Sequence, residues 1–401
     1  LSKAESNKES NKLISYFGRL NLNYDNTYYL MASLRREGST RFGAGNKWGN
    51  FYGISTAIDI AKLIQISKID QLKLRVSYGL TGALPDQSYL SQQLYGPGSN
   101  LSYYLYNGVF TPVYNPQSNP NPNLKWENKA ETNLGVDYSI LSGRIRGTFD
   151  LYNRKTTDAL IRLDVPVPPN LYPTTILNAG VINNRGFEAG IETQQIVKTN
   201  FSWSSKFTFS TNKTNLKSLS LGDIKYGTRE VGGLPAPLTG NVVRVEEGKQ
   251  LGQIIGWKYE GVDEKGNYKI QDQNGDNQIN EQDQTVIGRG LPKGEFGFGN
   301  TLTYKNFDLN FLFRAVYGHN LINLHRTMFE QVSRISTYNL INTKYFDENY
   351  IGPVAYNSNY VENGSFIKLD NISLGYNVPI KTNSSFSKIR AFVTGQNLFY
   401  I

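Results

Sequence analysis

Leu72-Lys73-Leu74-Arg75-Val76-Ser77-Tyr78 carries an apolar side chain at every even position and a polar one at every odd position. Successive side chains of a strand point to opposite faces, so this stretch is a strand with one greasy and one wet side. The same period of two recurs in 16–24, 145–151, 307–311 and 389–394. It recurs again in 201–209, where Phe201, Trp203, Phe207 and Phe209 share a face. Helical periodicity is scarce, and the 27 Tyr, 20 Phe and 38 Gly of the chain favour strands and turns over helices.

Punctuation between these runs is uneven. Asp25-Asn26 joins two early strands, and Leu141-Ser142-Gly143 separates 134–140 from 144–152. Other connections are far longer, namely 82–125, 216–252 and 318–363. Strands beside the tight turns have about nine to eleven residues, the length a tilted strand needs to cross a bilayer. Short turns on one side and long loops on the other match an outer-membrane barrel with its long loops outside the cell.

A two-sheet sandwich also alternates, so strand number decides. About a dozen to fourteen candidates exceed the roughly seven to nine strands of a sandwich. Wet positions include Arg75, Arg144, Arg146, Lys206 and Arg390, while aromatic residues gather near strand ends, as membrane girdles require. In 366–376 the apolar parity flips, from Ile367 and Leu369 to Ile372, Leu374 and Tyr376, and a β-bulge near Asp370-Asn371 explains the flip. No stretch approaches about 18 consecutive apolar residues, which excludes a transmembrane helix. A transmembrane barrel is compatible with the negative mean hydropathy. The net charge of +9 is spread singly along alternating strands, which argues against a nucleic-acid partner. There is no Cys, hence no disulfide framework. Leu1-Ser2-Lys3-Ala4-Glu5 carries no apolar signal segment, the chain stops in the apolar run Asn397-Leu398-Phe399-Tyr400-Ile401, and both ends read as cut.

The sharpest local signal runs from Asp272 to Asp283. Calcium takes six to eight hard oxygen ligands, and a loop of about twelve residues supplies them at positions 1, 3, 5, 7, 9 and 12. Those positions hold Asp272, Asn274, Asp276, Gln278 through its carbonyl, Asn280 directly or through water, and Asp283, with Ile279 as the apolar anchor. Two departures stand out: Asn277 occupies the usual Gly position, where Asn tolerates the left-handed backbone, and the last ligand is Asp rather than Glu. A calcium-type loop spanning 262–287 and a bare polar turn are both open readings.

Tyr103, Tyr104, Tyr106, Phe110 and Tyr114 lie in the first long loop, and exposed aromatics there could stack on sugar rings or peptide side chains. Packing against neighbouring loops or a partner is the competing reading. Nothing points to an enzyme. His319 and His325 lack the spacing of a helical metal pair, Asp263 and Glu264 are adjacent and would face opposite ways on a strand, and no nucleophile elbow or phosphate loop occurs.

Five ordered segments carry a resemblance. They are Asn119-Pro120-Asn121-Pro122-Asn123-Leu124-Lys125-Trp126-Glu127 with the strand after it, the run from Asn178 through Gly186 to Glu188, and Ile287-Gly288 through Gly297-Phe298-Gly299-Asn300 to Leu309. Phe366 to Tyr376 and Gly395-Gln396-Asn397-Leu398-Phe399 complete the set. In this order they resemble the C-terminal half of the SusC/RagA family of TonB-dependent outer-membrane transporters of Bacteroidota. The resemblance implies an all-β fold: residues 1–401 as the C-terminal portion of an antiparallel transmembrane barrel of roughly 22 strands, with long extracellular loops. It implies an N-terminal plug that this chain lacks, TonB acting through that missing part, a SusD-like surface lipoprotein as lid, and glycan or peptide substrates. A non-transporting barrel or surface scaffold that binds a partner protein is the alternative, and a soluble calcium-stabilised β-domain is a third.

Overall fold

The computed structural model describes residues 8–97, 103–221, 224–336, 338–380 and 386–401; the opening pentapeptide read above lies outside them. Twelve strands form one antiparallel sheet in chain order. They are β1 (Leu13–Tyr24), β2 (Tyr28–Ser39), β3 (Trp48–Asp59), β4 (Ile69–Ala83), β5 (Glu127–Ile140) and β6 (Ile145–Asp164). The series continues with β7 (Thr174–Lys198), β8 (Phe201–Leu221), β9 (Gly294–Tyr304), β10 (Phe307–Tyr317), β11 (Phe366–Val378) and β12 (Ile389–Tyr400).

Register explains why the sheet has two natures. One row of paired residues runs Ile58, Leu74, Val136, Phe149, Ala189, Phe209, Phe296, Ala315 and Ile367 from β3 to β11, and every member is apolar. The adjacent row, on the opposite face, runs Asp59, Lys73, Asp137, Thr148, Gly190, Thr208, Gly297, Arg314 and Lys368. A slip of one residue in any strand would exchange the two faces, so the alternation itself fixes the register. Aromatic rings stack along the apolar face: Tyr138 on Phe149 at 5.6 Å, Phe209 against Phe296 at 4.7 Å. Large apolar side chains there, Val76, Leu134 and Leu151 among them, are about half exposed in the chain alone. That is the surface a bilayer would cover.

The bulge expected near Asp370 is present. Asn371 pairs with Leu312 and Leu369 with Phe313, leaving Asp370 as the extra residue, so Ile367 and Leu369 keep the apolar face despite their odd numbers. The tight turns are also where the sequence puts them. Asp25 and Asn26 both take positive φ, as do Leu141, Ser142 and Gly143. Strand length departs from expectation: β6, β7 and β8 have 20, 25 and 21 residues rather than about ten. The alternation continues past the length a bilayer needs, and β8 runs to Leu221, through the start of the expected loop 216–252.

Turns 25–27, 141–144, 199–200 and 305–306 lie at one end of the sheet; the connections 40–47, 84–126, 165–173, 222–293 and 318–365 lie at the other. The buried apolar clusters gather with the long connections. Phe42, Phe51, Leu90, Leu124, Trp126 and Ile176 form one, and Leu238, Val242 and Tyr356 another. The Asn-Pro segment acts as a strap over the first cluster: Asn119 caps the backbone of Leu171 and Tyr172, Asn121 donates to Ile176 O, and Trp126 Nε1 donates to Lys47 O. Connection 222–293 holds its own four-stranded sheet, of strands Thr228–Gly233, Asn241–Glu246, Gln253–Gly256 and Thr285–Arg289.

Candidate substrate-facing wall and loop sites

On the polar face three of the arginines read from the sequence, Arg75, Arg146 and Arg390, take part in ion pairs, whereas Arg144 lies in the turn between β5 and β6. Arg75 holds Asp137 through two parallel bonds of 2.9 Å and also reaches Asp150 at 3.1 Å, two strands away. The strand between them places Gly135 opposite both Arg75 and Asp150, and a Cβ there would stand 2.5 Å from the guanidinium. The device repeats farther along. Arg390 on β12 reaches Asp308 on β10 at 2.5 Å over Gly375 of β11, where a Cβ would meet the guanidinium at 2.3 Å. Arg146 pairs with Glu192 at 2.7 Å, and Asp370 in the bulge takes Lys368 at 2.7 Å and Arg314 at 3.6 Å. Lys206 faces the same concave side, among Thr148, Glu188 and Glu295. Such solvated pairs add little to stability. Their larger effect is to hold fixed donors and acceptors along a polar passage.

The 272–283 loop is wound by its own side chains. The Asp272 carboxylate accepts from the backbone N–H groups of Gly275 and Asn277 at 2.7 Å each, and Asp276 accepts from Gln278 N at 2.8 Å. Asn277 has φ +61°, the left-handed conformation expected at the sixth position. Asn274 Oδ1 accepts from Asp276 N, and Asn280 Oδ1 accepts from Gln282 N. Asp283 is buried and accepts from Gln273 N at 2.9 Å and Asn280 N at 2.8 Å. The Asn280 N–H holds its carboxyl below the usual carboxylate range. The chemistry of the donors suits a hard cation, and each carboxylate oxygen retains a lone pair beyond its amide bond. Among the described residues, however, no three His, Asp or Glu side chains converge as a metal cluster. Ile279, expected as a buried anchor, is 51% exposed, because its side chain turns outward to the rim of a neighbouring cavity.

The aromatic residues of the first long loop do not form one platform. Tyr103–Tyr106 and Val109–Pro112 make a hairpin turned by Asn107-Gly108, both at positive φ. Tyr103 and Phe110 therefore fall on one face and Tyr104 and Tyr106 on the other, the latter pair 6.2 Å apart. Tyr114 belongs to the next strand pair, with Tyr95–Pro97. All five are exposed.

Sequence reasoning missed a polar core in connection 318–365. Arg326, 3% exposed, donates to Glu330 and Glu362 at 2.9 Å each and stacks over Tyr345 at 4.3 Å. It sits on the short helix Leu324–Phe329, capped by Asn323, and His325 lies on the same helix, against Phe329. The Asn cap and the Arg326/Glu330 spacing of four were the available signals. Tyr268 stacks on Tyr350 at 3.6 Å and shares a hydroxyl hydrogen bond with Tyr360; burial pushes its phenol well above the ordinary range.

A two-faced sheet with one lipid-type side, one charged side, short turns at one end and elaborate loops at the other is a barrel wall. The family model for the TonB-dependent receptor-like β-barrel matches residues 3–398. This chain belongs to that family. TonB-dependent receptor P3 of Formosa agariphila is 30% identical over 423 aligned residues, which cover 96% of this chain and 41% of that protein. TonB-dependent receptor SusC of Bacteroides thetaiotaomicron is 30% identical, over 98% of this chain and 40% of its own length. The chain thus spans about two fifths of these relatives. Among solved structures, the RagAB peptide transporter superposes with a TM-score of 0.84 at 22% identity, over 98% of this chain and 44% of that one. The SusC/RagA resemblance holds, and the family is one of outer-membrane receptors rather than of enzymes. The short turns accordingly face the periplasm and the long connections the outside.

Proposed function

We propose that this barrel wall works in a TonB-linked importer of glycans or peptides, with a SusD-like surface lipoprotein over its extracellular loops. The observation that carries the reading is the paired row on the concave side, from Asp59 through Asp137 and Arg314 to Lys368, set back to back with an unbroken apolar row. Residues 1–401 serve as the C-terminal portion of the barrel, and the energy-coupling plug lies outside them. The exposed aromatic hairpin at 103–112 offers ring faces on both sides, which suits contact with substrate, with lid, or with one after the other.

The test uses the full-length protein in its own membrane. Labelled oligosaccharide and oligopeptide pools should accumulate inside the cell only when TonB is present. A protein that assembles in the outer membrane, yet shows no TonB-dependent accumulation of either pool, would be the surface scaffold instead.

For loop 272–283, we propose calcium as the resident ion, held by Asp272, Asn274, Asp276, the Gln278 carbonyl, Asn280 and Asp283. What supports this is the all-oxygen donor set together with the left-handed turn at Asn277. Bound calcium would supply charge neutralisation to a loop that carries Asp272, Asp276 and Asp283 within twelve residues. The residues themselves already set the fold of the loop through backbone amides, so the ion would tighten it rather than create it.

A further inference from the structure

On the outward side of β5 to β8 the apolar surface ends at the paired row Leu134, Leu151 and Phe187. The next outward row away from the periplasmic turns is Thr132, Asn153, Arg185 and Lys213, and the one after it is Ala130, Lys155, Asn183 and Asn215. Arg185 and Lys213 therefore stand directly opposite each other, about 5 Å apart at Cβ, with Lys155 diagonal to Arg185 at about 7 Å. All three are exposed. Arg185 is aimed by a 3.0 Å bond from its Nε to Asn153 Oδ1, which leaves the outer end of its fork open.

Among the described residues no carboxylate answers these cations. Glu131, Asp137, Asp150, Glu188 and Glu192 have the opposite parity and stand on the polar face of the wall. Glu127 and Asp158, farther along the strands, are taken by Lys129 at 3.0 Å and Lys125 at 2.9 Å. Like charges directly opposite each other weaken a sheet. The pairing of Arg185 with Lys213 is thus unfavourable until an anion joins it.

Height fixes where that anion would come from. Lys155, Arg185 and Lys213 each lie about a dozen residues from the periplasmic turn of their strand, a rise of about 30 Å at about 3.3 Å per residue and a tilt of about 40°. The apolar band of such a barrel is about 25 Å tall. The three cations sit just above it, at the level of the outer headgroups.

We propose that Lys155, Arg185 and Lys213 bind the phosphate of an anionic lipid of the outer leaflet, whose acyl chains lie below it on Leu134, Leu151 and Phe187. A free phosphate would meet the same cations and gain nothing from the apolar row. A zwitterionic lipid would bring its own cation against them. The inference rests on membership of the barrel family and on strand register, and is independent of import.

Native mass spectrometry of the full-length protein in neutral detergent, titrated with dioleoyl phosphatidic acid, phosphatidylglycerol or phosphatidylcholine, tests it. At least one of the two anionic lipids should be retained saturably, and more weakly as salt is raised. Lys155→Gln, Arg185→Gln and Lys213→Gln should each weaken that binding about fivefold, and the three together should abolish it. Lys225→Gln, Lys249→Gln and Lys258→Gln combined remove as much charge from the 222–293 connection and should leave it unchanged. Equal retention of phosphatidylcholine, an equal loss in both triple variants, or no loss in either overturns the proposal. Displacement of the lipid by an equal concentration of inorganic phosphate also overturns it, as the mark of a free-anion site. If the triple variant fails to fold, Lys213→Gln decides.

Discussion

Arg75 on β4 and Asp150 on β6 are joined at 3.1 Å across a strand that lies between them, and Gly135 on that strand is what lets them meet. The same relation joins Arg390 to Asp308 over Gly375. In both cases the glycine serves by having no side chain, and the guanidinium occupies the vacated space.

Gly135→Ala should therefore disturb the wall although alanine is small. The new methyl group would stand 2.5 Å from the guanidinium, the free end of a flexible side chain, which must swing aside and give up Asp150, and the expected cost is about 1 kcal/mol or less. Thermal unfolding of the full-length protein measures it. In an Arg75→Ala background the same change should cost much less, and equal costs in both backgrounds would refute the relation.

Arg326 is the anchor of connection 318–365. Arg326→Ala leaves Glu330 buried and unpaired, for a loss of about 3–5 kcal/mol in that connection. Arg326→Lys should rescue little, since one ammonium cannot reproduce the forked contacts to Glu330 and Glu362 or the stacking on Tyr345. Hydrogen exchange over 318–365 is the readout, with the barrel strands as internal control.

Asp283 makes the 272–283 loop sensitive to acid. Its carboxyl is held below the ordinary range by the Asn280 amide, so the stabilisation is fully present above the unfolded value of about 3.9 and is lost as pH falls through the lower folded value. Protease resistance of 262–287 should be flat from neutral pH down to about 5 and collapse only below about 4. Asp283→Ala should show the collapsed state at every pH.

Calcium titration under the same protease assay separates the ion from the scaffold. Added calcium should protect 262–287 further, and Asp272→Ala with Asp276→Ala should abolish that increment. If the pair of substitutions leaves the calcium response unchanged, the loop is a polar turn without a metal.

Much of the fold was legible because a strand of period two writes its facing into every residue. The even positions of 72–78 and the parity flip at Asp370 were both readable, and the register reproduces them. Strand pairs joined by Asp25-Asn26 and Leu141-Ser142-Gly143 were readable for the same reason. What escaped was non-local. Nothing beside Gly135 in the sequence reveals that Arg75 will cross it, and nothing around Tyr268 reveals Tyr350, more than eighty positions on. The five loop aromatics looked like one cluster in sequence, yet the Asn107-Gly108 hairpin deals four of them to two faces and Tyr114 lies in another strand pair.

The length of β7 has a consequence for where recognition occurs. Its 25 residues at about 3.3 Å each make about 80 Å of strand. With a tilt of about 40° it rises about 60 Å, whereas the apolar band of an outer-membrane barrel is about 25 Å tall. More than half of this part of the wall therefore stands clear of the lipid, as a stiff chimney rather than a rim. The outer loops are thereby carried well above the membrane plane, at the top of a wall whose other face is lined by charged side chains.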